Sequence, residues 1–94
     1  MLPSLHLSAS KGQTAALKRL INAGCDVNQA NKDGATPAYI ACQKGQTAAL
    51  EVLVKAGCDV NQAEEYGETP AFIAAANGQT AALDILVDAG CDVN

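Results

Sequence analysis

The chain has 94 residues, nearly half of them apolar, and a formal charge of −4. That is room for one small domain with a modest core and no second domain. No apolar run approaches the roughly 18 residues that cross a bilayer, and the opening MLPSLHLSAS has neither a charged leader region nor a continuous hydrophobic block, so a soluble, cytosolic protein is expected.

GQTAAL stands at Gly12 to Leu17, again at Gly45 to Leu50 and again at Gly78 to Leu83, at intervals of 33 residues. GCDVNQA at Gly24 and Gly57 returns as GCDVN at Gly90 on the same period. One unit fills the chain, in three copies spanning residues 1–30, 31–63 and 64–94.

The first unit has Pro3-Ser4 where the second has Thr36-Pro37, so it begins almost at its first helix, without a preceding hairpin. Ser8, Ser10, Lys18 and Arg19 take the places of Ala41, Gln43, Glu51 and Val52. The Arg19 for Val52 exchange makes a stacking surface more polar, as the end of a repeat array needs for solubility.

In the second unit Thr36-Pro37 reads as a helix start, because threonine caps free amides and proline lacks an N–H that the first turn would leave unpaired. The helix is expected through AYIACQK, stopping at Gly45, where glycine takes the left-handed conformation cheaply. A second helix is expected over TAALEVLVKA, ending at Gly57, with Leu50, Leu53 and Val54 as its apolar stripe. Thr69-Pro70 opens the third unit in the same way.

Helices this short are marginal alone in water, so the units are expected to stack. Ala38, Ala41, Ala48, Ala49, Ala71, Ala74, Ala75, Ala81 and Ala82 would let helices approach closely, at the cost of apolar area per contact, which implies modest stability. In the third unit Ile85, Leu86 and Val87 are as apolar as Val52, Leu53 and Val54. That points either to a chain cut from a longer array or to end-to-end packing of this last unit on another copy.

The 33-residue period, the turn-helix-helix order and the run Gly34-Ala35-Thr36-Pro37-Ala38-Tyr39-Ile40-Ala41 resemble an ankyrin repeat, whose signature is T-P-L-H-x-A. Gly67 to Ala75 resembles the same segment, and Gly57-Cys58-Asp59-Val60-Asn61 is similar to the family's closing G-A-D-V-N. Ala38 and Ala71 replace the family's leucine, Tyr39 and Phe72 its histidine, and Gln46 and Gln79 the histidine of its G-H pair, whereas His6 keeps the histidine. The hydrogen-bond network at these places must differ, since Phe72 can neither donate nor accept and Tyr39 does so only through its hydroxyl.

The resemblance implies an all-α repeat solenoid, an ankyrin-repeat stack of helix-turn-helix units joined by β-hairpin-like turns. It also implies a non-catalytic protein–protein interaction module, a scaffold or adaptor, binding a protein partner through the turn tips and the concave face of the first helices. Matched position by position, the partner-binding places fall on Ser10 and Lys11; on Lys32, Asp33, Ala35, Gln43 and Lys44; and on Glu65, Tyr66, Glu68, Ala76 and Asn77. Tyr66 is the strongest single candidate, because tyrosine offers a large surface and a hydroxyl at small entropic cost. Two alternatives stand beside this reading: a structural spacer of a longer array, suggested by the near-identity of the units, and a regulatory or targeting arm of an enzyme encoded outside this chain.

Charge drifts along the array, from +2 over residues 1–30 through zero over 31–63 to −6 over 64–94. Such a gradient steers a basic partner toward the acidic end. On the second helices Glu51 and Lys55 form a favourable i,i+4 pair, whereas Asp84 and Asp88 at the same places repel. Nucleic acid, which calls for a basic stripe, is a poor match to this acidity.

The sequence has no phosphate-binding G-x-x-x-x-G-K-[ST], no H-E-x-x-H, no G-x-S-x-G and no EF-hand loop, so neither an enzyme nor a cofactor site is expected. Cys25, Cys58 and Cys91 recur one per unit and should sit roughly 8 to 10 Å apart, beyond the ~7 Å Cα limit for a disulfide. With one histidine and no paired ligands, a structural zinc site is not expected either.

Overall fold

The computed structural model describes residues 4–91; Pro3, Asp92 and Asn94, which figure in the reading above, lie outside the described residues. Six helices make up the regular structure of that span: α1 (Leu5–Lys11), α2 (Thr14–Asn22), α3 (Pro37–Lys44), α4 (Thr47–Lys55), α5 (Pro70–Ala76) and α6 (Thr80–Asp88). Each consecutive pair packs on itself. The first helices then stack as α1, α3, α5 and the second helices as α2, α4, α6, in a body of 36 × 24 × 20 Å.

Each first helix starts on a hydroxyl cap. Thr36 Oγ1 accepts from the Tyr39 N–H at 3.2 Å and Thr69 Oγ1 from the Phe72 N–H at 3.1 Å, with proline next in line. In the first unit the cap slides one place along. Ser4, at the register of Pro37, accepts from the Leu7 N–H at 3.0 Å, so α1 begins one residue later than α3 in the repeat.

The invariant phrases are the devices by which units grip one another. Gly12 and Gly45 end α1 and α3 in the left-handed conformation, at φ 69° and 71°. The following glutamine does not cap its own helix. Gln46 instead reaches back to the first unit, where its Nε2 donates to the Ser10 carbonyl at 3.1 Å. A Cβ on Gly12 would lie 2.5 Å from Gln46 Oε1, so the glycine of one GQ pair makes room for the glutamine of the next.

GCDVNQA works in the same manner. The Asn28 side-chain oxygen accepts from the Asp59 N–H at 2.6 Å, and Gln62 Nε2 donates to the Asn28 carbonyl at 3.2 Å. Asp26 and Asp59 each fold their own loop by accepting from the N–H two residues on.

The core runs lengthwise between the two helix layers and is built from Leu5, Ala9, Leu17, Ala38, Ala41, Cys42, Ala49, Leu50, Leu53, Val60, Ala74, Ala82 and Leu86. Five of the nine alanines expected at close approaches, Ala38, Ala41, Ala49, Ala74 and Ala82, are buried. Ala48 and Ala81 face solvent instead, and Ala75 is exposed, since among the described residues none packs on the third unit as α5 and α6 pack on the second.

Ser8 also departs from expectation. Its hydroxyl is fully buried with no hydrogen-bond partner among the described residues, so it adds no polarity to the outside of the first unit, whereas Arg19 is exposed and does.

Candidate protein-interaction surface

Two rows of sequence-selected residues flank the first-helix layer. One lies at the turns preceding α3 and α5 and holds Lys32, Asp33, Ala35, Glu65, Tyr66 and Glu68; the other lies at the C-terminal ends of α1, α3 and α5 and holds Ser10, Lys11, Gln43, Lys44, Ala76 and Asn77. A first helix of seven or eight residues keeps the rows roughly 10 to 12 Å apart.

Within each row the structure brings neighbouring units into contact. The Glu65 N–H donates to the Asp33 carbonyl at 3.1 Å, and Asn77 Nδ2 donates to the Gln43 carbonyl at 3.2 Å.

The turns are pinned from inside. Asn31 Oδ1 accepts from the N–H groups of Asp33 and Ala35 at 2.9 and 3.0 Å. One unit later Glu64 Oε1 accepts from those of Tyr66 and Glu68, both at 2.8 Å. The main chain closes both turns identically, Asn31 N–H to the Ala35 carbonyl and Glu64 N–H to the Glu68 carbonyl, each at 2.9 Å. Asn31 and Glu64 thus do one structural job with different side chains, and part of the divergence between NKDGA and EEYGE is architectural.

The chosen residues differ in what they can offer. Ala35 alone among the twelve is buried, and its carbonyl accepts from His6 Nε2–H at 3.0 Å as well as from the Asn31 N–H. It therefore presents almost no side-chain surface, contrary to its assignment. Glu68 is half-buried, and its Oε1 accepts from the Tyr39 hydroxyl at 2.8 Å. Burial, together with this bond and the charges of Glu68 and Glu64, pushes the Tyr39 hydroxyl up to about 12, so it keeps the proton it donates. His6 and Tyr39 hence tie α1 and α3 to the turn of the next unit by different chemistry. Ser10 is half-buried, and the other nine, Tyr66 foremost at 80%, are exposed.

Sequence reasoning missed a third strip. Residues three apart on a helix share a face, and counting back from Ser10, Gln43 and Ala76 reaches Leu7, Ile40 and Ile73. Leu7 is 45% exposed, and Ile40 and Ile73 are half-buried. Each first helix therefore shows one apolar residue between the two polar rows, a signal the helical period already carried.

A family model of ankyrin repeats, in three copies, matches residues 5–94. The chain belongs to the ankyrin-repeat family. Its ankyrin stack superimposes on the crystal structure of the human ASB11 ankyrin repeat domain with a TM-score of 0.90 and 32% identity, covering 98% of this chain and 42% of that one. Over 38 residues it is 53% identical to protein phosphatase 1 regulatory subunit 12A of Mus musculus and of Rattus norvegicus. That match takes in 40% of this chain and 4% of the length of either relative.

Two further features of the ankyrin stack bear on chemistry. Cys25 and His6 line an open depression with Ser4, Leu5, Asp26 and Gln29, but His6 Nε2 is committed to Ala35. Among the described residues no three histidine, cysteine or acidic side chains gather to hold a metal, and no helix is long and apolar enough to cross a membrane.

All four cysteines are free thiols. Cys42, assigned no role from sequence, is a core residue whose thiol is pushed up to about 12 by burial and by the neighbouring Cys58 and Cys91. Burial and Asp59 push Cys58 up to about 11. Since the thiolate is the reacting form, a thiol reagent at pH 8 modifies the exposed Cys25 first and Cys42 last. Peptide mapping of the labelled sites over time checks this order, and early labelling of Cys42 would contradict its place in the core.

Proposed function

We propose that the chain is a non-catalytic scaffold or adaptor module that binds a protein partner through its turn tips and concave first-helix face, with a basic segment of the partner lying against the third unit. The observation that carries this is Tyr66. An aromatic side chain with 80% of its surface in solvent shields little of its own turn. The turn beneath it is fixed by Glu64, so the ring is presented at small entropic cost.

Glu65 is exposed beside it and Glu68 half-buried, which favours a cationic partner. Exposed residues in this reading are Lys11, Lys32, Asp33, Gln43, Lys44, Glu65, Tyr66, Ala76 and Asn77, with Leu7 and Ile40 as apolar contacts between the rows. The four free thiols suit a reducing compartment, the cytoplasm.

The test is Tyr66→Ala. A partner retained by the wild-type chain in a pull-down should bind the variant about 30-fold or more weakly, the loss typical of a hot-spot aromatic, with the melting temperature unchanged. Unaltered affinity removes the tip from the binding surface.

A second reading, a regulatory or targeting arm of an enzyme held on another chain, is favoured by the likeness to a phosphatase regulatory subunit. Under that reading the retained partner is itself an enzyme, which mass spectrometry of the captured protein distinguishes.

A further inference from the structure

The outer face of the third unit repeats, place for place, a surface that is already occupied inside the chain. In the second unit, against which α5 and α6 pack, Tyr39, Cys42 and Leu50 are buried and Val54 half-buried. At the same places in the third unit Phe72 is 54% exposed, Ala75 is exposed, Leu83 is half-buried and Val87 is 50% exposed.

The two helices of the first unit carry part of the matching half, without the turn that meets Tyr39 inside the chain. Gln46 and Gln79 cross to the preceding unit and lie against Gly12 and Gly45. Gln13, the same residue in the first unit, is exposed with no side-chain partner among the described residues, and around Gly78 the space that would take such a glutamine is open.

Charge selects the occupant. Residues 64–94 carry −6 and residues 1–30 carry +2, so two third units face to face would repel, whereas a third unit facing a first unit attracts. In register, Lys18, Glu51 and Asp84 form one row along the second helices. Continuing the stack sets Asp84 of one copy beside Lys18 of the next, as Lys18 precedes Glu51 within the chain.

We propose that the chain self-associates head to tail, the first unit of one copy seating on the third unit of another. The partner is a second copy of this chain. Gln13 enters the space at Gly78, Val87 is covered, and Lys18 and Arg19 meet the acidic end. Such a contact is heterologous and does not close on itself, so assembly is open-ended, and added salt weakens it.

Sedimentation equilibrium of the 94-residue chain tests this. At low salt the mass should rise from the 9.6 kDa monomer through dimer and beyond as concentration increases, and fall back on adding salt. Two variants at exposed positions separate the ends: Val87→Lys blocks the tail, and Lys18→Glu with Arg19→Glu blocks the head. With circular dichroism unchanged, each alone should be monomeric, and an equimolar mixture should form a 1:1 complex and nothing larger. A wild-type chain that stays monomeric at every concentration overturns the proposal. So does a head-blocked variant that dimerises alone, which is the mark of tail-to-tail contact, or a mixture that remains monomeric.

Discussion

Gly34→Ala should destabilise the stack by about 2–4 kcal/mol, whereas Gly67→Ala, one unit later, should cost only about 1 kcal/mol. The two glycines have nearly the same backbone conformation, φ 79° and 81°, so a Cβ meets the same local strain at both. They differ in what lies beyond. At Gly34 a Cβ would stand 2.8 Å from the Glu65 backbone nitrogen and 3.3 Å from the Glu64 carbonyl carbon; at Gly67 nothing lies within 4 Å.

A backbone neighbour cannot turn aside as a flexible side chain does. The turns must part, and the Glu65 N–H to Asp33 carbonyl bond stretches with them. The second turn is also roped to α3 by Tyr39 and Glu68, so part of the displacement reaches the second–third unit interface. Urea melts read the difference as a shift in midpoint at constant slope. Equal losses at the two positions would mean that the close approach of the turns contributes nothing.

The architecture was legible because repetition is its own signal. Thr36-Pro37 and Thr69-Pro70 mark helix starts, Gly45 marks a helix end, and both held to within a residue. What a linear reading does not reveal is partnership between units. His6 meets Ala35 and Tyr39 meets Glu68 at a separation of 29 residues, Gln46 meets Ser10 at 36, and Asn77 meets Gln43 at 34. None of these offsets equals the period, because each side chain leans toward one neighbour.

For the same reason, a difference between copies does not by itself mark a functional residue. Asn31 and Glu64 look like divergent surface residues, yet both spend their oxygens on their own turn. Ala35 looks like a surface place from its position in the turn but is buried where His6 reaches its carbonyl. Conversely Leu7 and Ile40, which the sequence reading passed over, lie partly open between the polar rows.

Identical words in this sequence should carry unequal energies, and Leu50→Ala is where the effect is largest. Leu17, Leu50 and Leu83 close the three copies of GQTAAL, and the first two are fully buried while Leu83 is half-buried. Leu50→Ala should cost about 2–5 kcal/mol, the range for truncating a buried leucine when its surroundings collapse incompletely. Leu83→Ala should cost about 1–2 kcal/mol, because part of its surface already faces water.

In a stack whose stability is a sum of units and nearest-neighbour contacts, the middle unit is doubly exposed to damage, since Leu50 sits on α4 between α2 and α6. A protein of this length has only about 5–14 kcal/mol in all, so Leu50→Ala removes a large share of it and should leave the variant partly unfolded at 37 °C by circular dichroism. The ratio of the two losses also depends on concentration if a second copy covers the third unit. Dilute protein shows Leu83→Ala as the mild substitution, and concentrated protein at low salt makes it costlier, as the first unit of a second copy comes to rest on that leucine. A Leu83→Ala cost that equals Leu50→Ala in dilute solution would mean that the third unit is already covered in the monomer.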